Sequence, residues 1–117
     1  MTYLVALLST GKGTWAEVAQ LMKAEPWEKI FILTNDFGKQ NFKHEKPHEL
    51  LVVDMNKEAS EIKQEIMQHL KEKLSLDTAV NIVSGTGKEH AALLSALFSL
   101  GAGIRLVTVK NGVMAEV

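Results

Sequence analysis

Apolar residues in this chain gather in short runs, and the stretches between them keep a helical period. YLVALL (3–8) is continuous, KIFILT (29–34) is apolar between its ends, and the segments 50–53, 79–83 and 104–109 are shorter or interrupted runs, the last two by Asn81, Arg105 and Thr108. A strand covered on both faces of a sheet reads this way, as a continuous apolar block without alternation. After the first run, Trp15, Val18, Ala19 and Met22 recur at helical spacing, and Pro26 ends a helix of roughly ten residues. Ala59, Ile62, Ile66, Leu70 and Leu74 form one stripe of a second helix. Its other face carries Glu58, Glu61, Lys63, Glu65, Lys71 and Lys73 and is solvated. Residues 89–100, rich in Ala and Leu, read as a third helix stopped by Gly101 and Gly103. Residues 39–49 have no period and read as a surface loop, and 111–117 as a short tail.

Buried strands alternating with helices imply an α/β fold, a mostly parallel sheet covered on both faces. The expectation is one Rossmann-like domain over residues 1–117, with about five strands in the order 3-2-1-4-5. A chain of 117 residues, 46% hydrophobic, has material for one sizeable core. In that order the first and fourth strands are neighbours at the point where the winding reverses, where ligands bind in such sheets. The apolar helix at 91–100 has two uses, burial against the sheet or a dimer interface, and burial is the commoner.

Charge narrows the partners. Thirteen basic and fourteen acidic residues leave a net charge of −1, and the basic ones are scattered. The broad basic face needed to grip long DNA or RNA is missing, which leaves room for a small anion held locally. Without cysteine there are no disulfides, thiolate nucleophiles or cysteine zinc sites. YLVALL is too short for a membrane span or a signal core, so the expectation is a cytoplasmic protein with no membrane partner.

Two glycine-bearing stretches follow apolar runs and open helical patterns. STGKGTW offers the hydroxyls of Ser9 and Thr10, the unhindered backbone of Gly11 and Gly13, the ammonium of Lys12, and Thr14 as a helix cap. SGTGKEH offers Ser84, Gly85, Thr86, Gly87 and Lys88 in the same position after the fourth run. Strand-to-helix loops of this kind point N–H groups and a lysine at one spot, which suits phosphate. Each also reads as a plain turn, with Ser84 or Thr86 capping a helix and Lys88 solvated. Neither matches the Walker pattern. Gly11, Gly13 and Ala16 match the looser G-x-G-x-x-A dinucleotide pattern, with Asp36 near the end of the next strand where a ribose-binding acid lies. Asn35 or Asp36 is placed to meet a sugar or base.

HEKPH (44–48) spells a zinc-protease pattern, but Pro47 denies it the helix that sets both histidines on one face. No metal and no cofactor are expected. His90 stands alone, without a triad around it, and Trp15 and Phe37 read as core or rim residues before base-stacking ones.

The two loops together resemble the CARF domain, the CRISPR-associated Rossmann fold that senses cyclic oligoadenylates. In that family a serine- or threonine-containing glycine loop follows the first strand, and a T-G-G-x-K-like loop follows the fourth. STGKGTW is similar to the first and SGTGKEHAALLSAL to the second, although here the spacing is G-T-G-K. The resemblance implies a homodimer that binds a cyclic oligoadenylate and acts through a separate effector protein, or that cleaves the ring as a metal-independent ring nuclease. In the second case Lys88 would stabilise the developing charge, and Ser9 or Thr10 would orient the phosphate. A nicotinamide- or mononucleotide-binding subunit of a larger enzyme, or a structural domain without ligand, stands as the alternative.

Overall fold

The computed structural model describes residues 2–9 and 12–117, with Lys12 by its backbone alone. Strands β1 (Tyr3–Leu8), β2 (Lys29–Thr34), β3 (Glu49–Val52), β4 (Thr78–Asn81), β5 (Ile104–Lys110) and β6 (Val113–Glu116) form one sheet in the order β3-β2-β1-β4-β5-β6. The first five are parallel, with Leu4 opposite both Ile30 and Ala79. Helices α1 (Lys12–Ala24), α2 (Asp36–Asn41), α3 (Ala59–Leu70) and α4 (Gly87–Ser99) connect them. The Rossmann-like α/β architecture and the 3-2-1-4-5 order are as expected.

The continuous apolar run of β1 follows from the core having two halves. Leu4, Ala6 and Leu8 of β1 pack on one face of the sheet with Val18, Leu21 and Met22 of α1 and with Phe42. Val5 and Leu7 face the other way, against Ile62, Ile66 and Leu70 of α3 and Ala92, Leu93, Ala96 and Leu97 of α4. Each side of β1 therefore requires an apolar residue, and Leu4 through Leu8 are fully buried. The apolar face of α4 is taken up by this core, while Phe98 on its far side is exposed.

Three expectations need correction. The tail at 111–117 contains β6, antiparallel to β5. Asn111 and Gly112, with φ of 53° and 77°, make the two-residue hairpin turn whose positive φ values suit this residue pair. The surface loop at 39–49 starts inside α2, which Asn35 caps by accepting the Gly38 N–H on its side chain. Gly38 is required there, since a Cβ would run into the Thr34 hydroxyl. Finally α1 begins at Lys12, so Thr14 lies in its first turn and does not cap it.

Candidate functional site

Ser9, Asn35, Asp36 and the segment 84–88 all follow the carboxyl ends of parallel strands, so the topology gathers them along one edge of the sheet. Ser9 is the node. Its N–H donates to Ser84 Oγ at 3.0 Å, and its carbonyl accepts Asn35 Nδ2 at 3.2 Å. Its hydroxyl donates to Glu89 Oε1. One residue thus stitches together the loops that follow β1, β2 and β4, with Ser84 fully buried beneath them. Thr10 and Gly11 lie outside the described residues, as does the Lys12 side chain. Gly13 is exposed in the first turn of α1, with no atom near where a Cβ would stand.

The second loop is built for tight approach. Gly85 has φ of +103°, and a Cβ there would sit 2.9 Å from Glu89 Oε1 and press on Leu7. Thr86 caps α4: its Oγ1 accepts the Glu89 N–H at 3.3 Å, and its own N–H donates to Glu89 Oε1 at 3.1 Å. This is a capping box, two first-turn donors satisfied reciprocally. The N–H groups of Gly87 and Lys88 are left without a partner among the described residues. They remain as donors for an anion at the positive end of the helix.

Glu89 was not singled out in the sequence, and it is the least exposed charged residue among the described residues, at 5%. T-x-x-E before an apolar run signals the capping box. Nothing local signals that the same carboxylate reaches Ser9, eighty residues away along the chain. Lys88 is exposed and turned toward α3, its ammonium donating to the Lys57 carbonyl at 2.8 Å. Lys57 pairs in turn with Glu65 at 3.0 Å, and that hydrogen bond first, then the carboxylate's charge, raises its ammonium above the usual lysine value.

Asn35 is committed to the fold through both ends of its carboxamide, whereas Asp36 is exposed. Both line a cavity of about 510 Å³ with Phe37 and residues 52–56, at the carboxyl ends of β2 and β3. Its size falls in the range of small-molecule sites. Trp15 packs on Phe37 and Phe42 at ring separations of 5.7 and 5.9 Å, so Phe37, half exposed, is the outer end of an aromatic row.

All four histidines hold backbone carbonyls: His44 on Ala19, His48 on Lys46, His69 on Val52 and His90 on Ser84. A carbonyl only accepts, so each bond fixes which ring nitrogen carries the proton. His44 also accepts the Lys46 N–H on Nδ1, which uses both its nitrogens. HEKPH lies outside any helix, as Pro47 requires. Among the described residues no cluster of three metal-binding side chains occurs, and no helix is long and apolar enough to cross a membrane.

The chain matches no protein-family model and no curated protein.

Proposed function

We propose that this domain binds a small phosphate-containing nucleotide, a cyclic oligoadenylate, where the loops after β1 and β4 meet. The observation that carries the reading is the Ser9–Ser84 hydrogen bond, which ties the residue after β1 to the loop after β4 at the switch point of the sheet. The unpartnered N–H groups of Gly87 and Lys88 receive a phosphate oxygen. The Lys88 ammonium, exposed and held by a single carbonyl, swings toward the charge at small cost. The cavity beside Asp36 and Phe37 receives a nucleoside. A ring with two-fold symmetry is read by a homodimer, and a cytoplasmic sensor of this kind acts through a separate effector or by opening the ring.

Melting temperatures of the purified chain test the reading, with cyclic tetra-adenylate, cyclic hexa-adenylate, NAD, NADP and ATP as ligands. Ligand at a hundred times its Kd stabilises the fold by about 2.7 kcal/mol, a rise of about 10 °C. A rise with a cyclic oligoadenylate is expected. No rise with either ring overturns the proposal, and a rise with NAD alone replaces it by the dinucleotide reading.

A further inference from the structure

Beyond the Val80–Leu106 pair, β4 soon gives way to the loop that carries Ser84, while β5 continues to Lys110. The opening between them is a cavity of about 270 Å³. Val80 and Ile82 supply apolar wall from one side of the gap, Leu106 and Val107 from β5, and Glu17 of α1 reaches the lining. It lies on the β5 side of β4, whereas Ser9 lies on the β1 side. A cavity of about 150 Å³ holds benzene, so this one takes a ligand of roughly ten heavy atoms.

The polar side chains of the lining are Glu17, Asn81 and Thr108, and their hydrogen bonds leave only acceptors facing a ligand. Asn81, 2% exposed, uses both amide protons, on the Val107 carbonyl at 3.0 Å and on Glu17 Oε2 at 3.4 Å. Its Oδ1 accepts the Val83 N–H at 3.2 Å. A carboxylate oxygen cannot donate, so the Thr108 hydroxyl gives its one proton to Glu17 Oε2 at 3.2 Å. Glu17 Oε1 and the lone pairs of Thr108 remain. Among the described residues Glu17 has no cationic partner, and its carboxylate is held in place by two neutral donors.

A head group that donates without accepting and carries the opposite charge is an ammonium. Phosphates and carboxylates bring acceptors and the wrong sign. A nucleobase brings ring nitrogens that would be buried without a donor, which costs affinity. We propose that the cavity between β4 and β5 binds a primary amine with a compact apolar body of roughly ten heavy atoms. Its ammonium sits on Glu17 Oε1 and Thr108 Oγ1, and its hydrocarbon lies against Ile82, Leu106 and Val107. This site is separate from the nucleotide site and stands without it.

The probe is phenethylamine, with phenethyl alcohol, phenylacetate and adenine for comparison. Each is titrated into the isotopically labelled wild-type chain and into Glu17→Gln, and the backbone amide resonances are followed. Glutamine keeps an oxygen for Asn81 and Thr108, and melting temperature checks that the variant folds. The amine is expected to shift residues 80–83 and 106–108 and to leave Ser9 and Asn35 in place. It binds at least about tenfold more tightly than the alcohol, and Glu17→Gln weakens it by a similar factor. Phenylacetate and adenine give no shift there at about 10 mM. Equal binding of amine and alcohol by the wild-type chain overturns the proposal whether or not the variant folds. So does the absence of an amine shift at about 10 mM, or tighter binding of adenine than of the amine.

Discussion

Ser84 Oγ accepts the backbone N–H of Ser9 at 3.0 Å, joining the end of β1 to the end of β4 across 75 residues of chain. The two strands are already neighbours in the sheet, so the bond adds register to the loops that extend past it. A buried hydroxyl in this role is structural, because it fixes the end of β1 against the loop that follows β4.

Ser84→Ala leaves the Ser9 N–H without that acceptor in a partly buried position. The expected loss is about 1–3 kcal/mol of stability by urea denaturation. An unchanged midpoint would mean that water replaces the hydroxyl without cost.

Gly85 and Gly87 look alike in sequence and differ in kind. At Gly85, φ of +103° and the closeness of Leu7 and Glu89 make alanine strained and overpacked, with a predicted loss of about 2 kcal/mol or more. At Gly87, in the first turn of α4 with open space around it, alanine is expected to be neutral or to stabilise by up to about 1 kcal/mol. Equal losses at the two positions, in parallel urea titrations, would contradict this.

That contrast marks how far the sequence could be read. β1 and β2 were legible because burial on both faces leaves no polar position within a run such as Val5 to Leu8, whereas β3 and β5 are only partly buried and were read from shorter apolar stretches. β6 was not, since Val113, Ala115 and Glu116 are exposed at the sheet edge and carry no apolar pattern; the signal was the Asn111-Gly112 pair. α2 is six residues long, too short for a period, and its mark was Asn35 three residues before Gly38. The two loops were found by their glycines. The partner of Ser9 was not, because Glu89 announces a helix cap locally and its second bond exists only once β1 and β4 lie side by side.

Asp77 provides a pH test at the opposite edge of the sheet. Its carboxyl is held below its usual 3.8, first by the Thr2 hydroxyl at 2.7 Å and then by Arg105, whose Nε lies at 3.0 Å. A value depressed by folding stabilises the protein above the unfolded value, and the contribution is lost as pH falls through the folded one. Asp77→Asn should therefore be less stable than wild type at neutral pH, with the gap closing below about pH 4. A gap that persists at about pH 2 in urea titrations would assign it to packing.

Trp15 buries its indole N–H with no acceptor among the described residues. Trp15→Phe removes that unmet donor and keeps a ring against Phe37 and Phe42. The two effects oppose each other, and the predicted change is under about 1 kcal/mol, against about 3–5 kcal/mol for Phe42→Ala in the core. Denaturation midpoints of the two variants check the contrast.

Titration of the isotopically labelled chain with cyclic tetra-adenylate, followed by its backbone amide resonances, tests the central claim most directly. The account predicts that Ser9, Gly85, Gly87 and Lys88 shift most and that Asn111 and Gly112 in the β5–β6 hairpin stay in place. No shift at about 1 mM ligand, or shifts confined to the hairpin, would contradict it.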